Sequence, residues 1–266
     1  MNSPTYRHLA RYRNGEVVSY GLVMPEGLQR LSGAPWNGGE PTGDIDDPAA
    51  VRFLAPCEPS KIICIGLNYI EHVRESLSVT GEIKEPPAEP LFFLKPPSAA
   101  VGNGDAIVYP GGVTRLDPEG EVAIVIGRRA HRVAESDALR FVAGVTAFND
   151  VSARNHQKTD GQWTRAKGFD TFAPFGPVIA LGLSPLDLAF SLRVNGETRQ
   201  QARTSQMHFG IARLISHVSR VMTLEPGDVI ATGTPAGIAP IEVGDRVEVE
   251  VEGVGILVST VEAEQP

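Results

Sequence analysis

An unbroken apolar run, Val122-Ala123-Ile124-Val125-Ile126, follows directly on Glu119-Gly120-Glu121 and stops at Gly127. A strand with one wet face would alternate polar and apolar residues; this one does not, so it predicts a strand buried on both faces. Side chains along a strand alternate with period two, so Glu119 and Glu121 share a face, and Asp117 joins them if the strand reaches that far. Two carboxylates this close repel one another unless a cation compensates. Asp150 ends another apolar segment, Val145-Thr146-Ala147-Phe148-Asn149. A carboxylate beside apolar core is costly without a partner. Glu119, Glu121 and Asp150 together offer three oxygen ligands with room for water and substrate, a set that suits Mg²⁺ or Mn²⁺, with Ca²⁺ as a substitute. Zinc would prefer His or Cys, and neither lies near in sequence. Glu-x-Glu also occurs on solvated edge strands, but the apolar run behind it places these carboxylates at the mouth of a core.

The rest of the chain reads as β-rich. Gly (28) and Pro (21) supply many turns along its 266 residues. Asn14-Gly15 and Asn195-Gly196 each sit between extended segments and predict two-residue hairpin turns with positive φ at both positions. Lys61–Gly66, Leu91–Lys95, Val229–Ala231, Arg246–Val251 and Gly255–Val261 read as further strands. Helices are few: a short one near 68–75, one at 136–143 with Ser136 as N-cap, and one at 205–221 with Met207, Ile211, Leu214, Ile215 and Val218 on one face. Without regular βαβ alternation, the fold class is α+β rather than a doubly wound sheet or a (β/α) barrel. The loop-rich stretch at 32–50 marks a boundary, giving a small N-terminal β unit at 1–55 and a larger unit at 56–266.

Acidic residues outnumber basic ones, 32 to 24, for a net charge of −8. That balance lacks the broad positive field needed for nucleic acid or an anionic membrane. An anionic substrate is still admissible, because a bound cation reverses the local sign. Cys57 and Cys64 make no disulfide framework, and a reducing, cytoplasmic setting is expected. The first ten residues hold no apolar leader and no stretch approaches a membrane span.

Seven segments in order resemble the fumarylacetoacetate hydrolase family: KIICIGLNYIEHVRES (61–76), FLKPPSA (93–99), LDPEGEVAIVIGRRA (116–130), FNDVSAR (148–154), QWTRAKGFDTFAPFGP (162–177), LRVNGE (192–197) and LEPGDVIATGTPAG (224–237). The resemblance implies a mixed β-sandwich roll, a homodimer, and a site for Mg²⁺ or Mn²⁺ on Glu119, Glu121 and Asp150. It places the substrate-binding lysine at Lys167, the His and Glu of a lid helix at His72 and Glu75, and the Gly-Thr-Pro threonine at Thr234. Pro118, Asn155-His156 and Gly168 depart from the family's commoner residues.

His72 and Glu75, three positions apart, share a helix face. A Glu beside His fixes its tautomer and raises its basicity, so the pair can act as a general base; a surface ion pair is the plainer alternative. The Gly- and Pro-rich stretch after it suits a lid. Lys167, between Trp163 and Phe169, would complement a substrate carboxylate unless it is simply solvated. Arg154 and Gln157 follow Asp150 closely and are candidates to line the pocket, while Lys95 before Pro96-Pro97 reads as structural. Thr234 lies in a turn whose hydroxyl and amides suit a carboxylate. The expected activity is metal-dependent C–C hydrolysis of an acylpyruvate-like or β-diketo acid through a stabilised enolate. The alternatives are decarboxylation or isomerisation of 2-oxo or hydroxy-dienoic diacids, as in aromatic catabolism, and a silent binding protein.

Overall fold

The structure is a computed structural model that describes residues 6–80 and 85–265. Its spine is the strand Gly120–Ile126, buried at every position. Val122, Ile124 and Ile126 enter one apolar core and Ala123 and Val125 enter another. The continuous apolar run therefore serves two cores, as its lack of alternation predicts.

The large sheet runs in the order Pro41–Asp46, Gly27–Leu31, Val17–Met24, Arg7–Asn14, Ala173–Leu181, Val142–Asn149, Gly120–Ile126, Val229–Ala231, Ile62–Gly66, Leu91–Lys95. Neighbours are antiparallel along this path except Val229–Ala231 with Ile62–Gly66. A second sheet, Glu197–Arg203, Ala189–Val194, Arg246–Val251, Gly255–Ala263 and Ile107–Tyr109, packs against it. Leu192, Val194, Val247, Val249 and Val251 meet Val122, Ile124 and Ile126 in the shared core. Contact is close enough that a Cβ on Gly120 would lie 2.8 Å from Cβ of Leu192. This is the β-rich sandwich that the sequence implies. The N-terminal strands are joined to it directly, since Arg7–Asn14 pairs with Ala173–Leu181.

Several local expectations shift. In the first hairpin the turn residues are Gly15 and Glu16, because Asn14 pairs with Val17 and stays in the strand. Asn14 is held there by its side-chain amide, which donates to Asp46 Oδ1 at 2.9 Å. The second hairpin matches the expectation, with Asn195 at φ 52° and Gly196 at φ 82°. The segment expected as a helix at 136–143 is a 3₁₀ helix, Glu135–Phe141, preceded by Ala134 rather than capped by Ser136. It must hand Val142 into the sheet opposite Ile126. The last helix begins at Ile211, not 205. Asn68 captures the chain before it: its carbonyl accepts from the His208 amide and its Oδ1 from the Phe209 amide, both at 2.8 Å. Glu119 lies just before the strand Gly120–Ile126, and Asp117 is on the separate pair Leu116–Asp117 with Ser152–Ala153. Cys57 and Cys64 are buried free thiols. None of the described helices is long and apolar enough to cross a membrane.

One polar cluster ties the N-terminal strands together. Buried Asp46 accepts from Tyr12 (2.6 Å), Asn14 (2.9 Å) and the Arg30 guanidinium at 2.9 and 2.6 Å. Arg30 holds the Asp46 carboxyl well below the ordinary carboxylate range, while burial and then Asp46 push the Tyr12 phenol up to about 12. A depressed carboxyl contributes stability above its unfolded pKa and loses it as pH falls toward the folded value. Asp46→Asn is therefore expected to lower the unfolding free energy by about 1–3 kcal/mol at pH 7. Urea melts of both proteins should show that difference shrinking below about pH 4.

Candidate active site

The carboxylates converge because neighbouring strands are held in fixed register. Gly120 faces Asn149 and Glu121 faces Phe148 across the ladder. Two further bonds lock the start of one strand to the end of the other: Asn149 Oδ1 accepts from the Glu119 amide at 3.0 Å, and the Asp150 amide donates to the Glu119 carbonyl at 2.8 Å. Glu119, Glu121 and Asp150 thereby each present an oxygen within 4.8 Å of the others. All three are buried. Glu121 Oε2 accepts from the Gly233 amide at 2.8 Å. Burial, then Asp150 and Glu119, push the Glu121 carboxyl well above its usual range. Three oxygen donors in a buried, mutually repelling set suit a hard divalent cation, whose charge would relieve the repulsion.

Buried cations face this cluster. Lys167 Nζ bonds Glu119 Oε2 and Asp150 Oδ2, each at 2.7 Å, and lies 5.1 Å from the Phe93 ring centre. Arg154 donates to Glu119 Oε1 at 2.6 Å, to Gln157 Oε1 at 2.8 Å and to Asp117 Oδ2 at 2.8 Å. Burial alone would raise the Glu119 carboxyl, but Lys167, Arg154 and His72 outweigh it and hold the group well below the usual range. Burial alone would lower the Lys167 ammonium, yet Asp150 and Glu119 raise it. Lys95, read from sequence as structural, is also buried here; its Nζ bonds Asp150 Oδ1 and donates to the Val151 carbonyl at 3.1 Å. A lysine ending an apolar strand just before Pro-Pro was the signal for it. Asp117 turns away from the cluster and takes Arg115 and Arg154.

The helix Ile70–Thr80 lays His72 over the site. His72 Nε2 lies 3.9 Å from Glu119 Oε1, and Nδ1 lies 3.5 Å from Glu75 Oε2. Glu75 accepts from the Gly237 amide at 3.1 and 3.0 Å, so the helix is pinned to the loop after Thr234. Burial would raise the Glu75 carboxyl, but His72 and the Gly237 and Ile238 amides bring it below its usual value. Residues 81–84 of the loop expected to follow the lid lie outside the described residues.

The resulting cavity is about 40 Å³. His72, Glu119, Glu121, Asp150, Arg154, Gln157, Lys167 and Thr234 all border it, closed in by Ile65, Phe93, Trp163 and Ile238. Thr234 differs from expectation in detail: its hydroxyl donates to the Gly120 carbonyl at 3.0 Å and accepts from Gln200 at 2.8 Å. It secures the loop. Phe169 does not border the cavity; it packs on His156 and Phe172. Gly168 has a steric reason, since a Cβ there would stand 2.5 Å from the Thr164 carbonyl oxygen.

Residues 61–262 match the fumarylacetoacetate (FAA) hydrolase C-terminal family, and residues 7–56 match the Rv2993c-like N-terminal family. An uncharacterized protein of Archaeoglobus fulgidus is 50% identical over 212 residues, 79% of this chain and 82% of that one. The oxaloacetate tautomerase FAHD2A, mitochondrial, of Bos taurus is 41% identical over 224 residues, 79% of this chain and 69% of that one. The crystal structure of 5-carboxymethyl-2-hydroxymuconate delta-isomerase from Mycobacterium smegmatis superposes with a TM-score of 0.89 at 41% identity, over 97% of this chain and all of that one.

Asp150 accepts from two lysines and supplies one of the three oxygens, so Asp150→Ala should weaken Mn²⁺ or Mg²⁺ binding by about tenfold or more. Isothermal titration of the folded variant measures this; an unchanged affinity would remove Asp150 from the metal set.

Proposed function

The chain belongs to the fumarylacetoacetate hydrolase family, and from that membership and the geometry of its site we propose a divalent-metal enzyme that moves a proton on an enolisable 2-oxo acid. The observation that carries this reading is His72. It is buried, its Nε2 is turned toward the carboxylates, and it is the sole imidazole bordering the cavity among the described residues.

A Mg²⁺ or Mn²⁺ ion on Glu119, Glu121 and Asp150 would supply Lewis-acid stabilisation of developing enolate charge. Lys167 and Arg154 offer fixed donors to the carboxylate or ketone oxygen of the substrate. Glu75 near Nδ1 favours the tautomer that leaves the Nε2 lone pair free. Nε2 then takes a proton from the carbon next to the ketone. Returned to oxygen, that proton completes a tautomerisation; returned further along a conjugated chain, it completes an isomerisation. Nothing is consumed in either case. Ile65, Phe93, Trp163 and Ile238 keep bulk water from competing for it. A tautomerase and an isomerase among the relatives carry names that describe proton shifts in this sense.

A second reading is hydrolysis of an acylpyruvate, with loss of CO₂ from an oxaloacetate-like acid as its near variant. The His72–Glu75 pair favours the hydrolysis, because the same base could deprotonate a water that attacks the distal carbonyl; the C–C bond then breaks, the acid leaves with the water's oxygen, and the pyruvate enolate is protonated to pyruvate, whereas CO₂ loss gives that enolate without any water.

A panel of oxaloacetate, acylpyruvates and hydroxy-dienoic diacids, assayed with Mg²⁺ or Mn²⁺, separates these outcomes. His72→Gln should leave metal binding in place while slowing enol–keto conversion by about 10²-fold or more. Ultraviolet absorbance of the enol follows the conversion; unchanged turnover would remove His72 from the reaction.

A further inference from the structure

Beside the closed cavity lies a groove of about 900 Å³. Trp163 and Phe93 border both spaces. The indole is seated rather than draped. It meets Phe93 edge-on, with ring centres 5.2 Å apart and planes at 79°. It also lies against Gly66, where a Cβ would stand 2.8 Å from Cζ3 and 3.2 Å from Cη2 of Trp163. The glycine at the end of the strand Ile62–Gly66 is thus the vacancy that receives the ring. The Trp163 backbone carbonyl accepts from the Lys167 amide at 2.9 Å, so the residue carrying the ring and the buried lysine share one helical turn. The groove beyond is largely apolar, bordered by Leu91, Phe92, Leu94, Pro96 and Pro97. The site cavity on the other side of the ring is much smaller, about 40 Å³.

From this arrangement we infer that Trp163, seated on Gly66, is the wall that keeps aryl and long-chain acyl ends out of the site by separating it from the apolar groove. This deepens the proposed function and rests on its 2-oxo acid reading. A substrate whose distal end is aryl or long-chain acyl meets the indole, whereas removal of the ring joins the two spaces and offers that end an apolar berth. Alanine at Gly66 acts on the same wall from behind, by displacing the ring from its seat.

The test is isothermal titration of the full chain, loaded with Mn²⁺, against oxaloacetate and benzoylpyruvate, with thermal melts of every variant. In Trp163→Ala the affinity for benzoylpyruvate relative to oxaloacetate should rise by about tenfold or more. Gly66→Ala should move the ratio in the same direction, and Trp163→Phe, which keeps most of the ring, should move it less. A ratio that stays within about twofold in both alanine variants, with melts unchanged, overturns the wall. So does a wild-type protein that binds benzoylpyruvate as tightly as oxaloacetate. If the wild type binds the metal but neither acid, the 2-oxo acid reading fails first and the wall falls with it.

Discussion

The structure depends on keeping three carboxylates together inside a protein. Glu119, Glu121 and Asp150 would repel each other strongly in a buried setting. Lys167 bridges two of them, Lys95 takes the other oxygen of Asp150, and Arg154 takes the second oxygen of Glu119. Each of these cations is itself buried, so each needs the carboxylates as much as they need it. The cluster is therefore a mutual arrangement in which loss of one member leaves several uncompensated charges.

That requirement explains why the site sits where one strand starts and its antiparallel neighbour ends. The ladder between Gly120–Ile126 and Val142–Asn149 sets the spacing of the acids, and the amide of Gly233 adds a fixed donor to Glu121. The cations come from elsewhere: Lys95 from the edge strand, Arg154 and Lys167 from two short helices. The helix Ile70–Thr80 lies outside the sheets. It is held at Glu75 by backbone amides of the loop after Thr234, so His72 reaches its place over the acids together with that contact. Chemistry that needs a dry, charged site thus rests on a rigid sheet carrying one attached helix.

Sequence was most informative where local physics dominates. The unalternating run behind Glu121 required burial on both faces, and the strand does feed two cores. The Asn195-Gly196 turn follows from the need for positive φ at two successive residues. Where long-range contacts compete, local reading failed: Asn14 is drawn into its strand by Asp46, and the residues before Ile211 bind Asn68 instead of winding into the helix. Lys95 escaped notice as a site residue because its partner, Asp150, is fifty-five positions away.

What the chain determined by itself is the inventory: an α+β, strand-rich body, a set of acids behind which no solvent face exists, and candidate basic and imidazole groups at His72, Arg154 and Lys167. The strands and the acids follow from periodicity and charge, which act between near neighbours; the basic and imidazole candidates came from residue type and from the family resemblance. The tertiary structure alone decided the pairing of acids with cations, the seat of Trp163 on Gly66 and the fastening of the helix Ile70–Thr80 through Glu75. Each of these depends on distances between segments far apart in the chain, and such distances come into being only when the sheet closes its register.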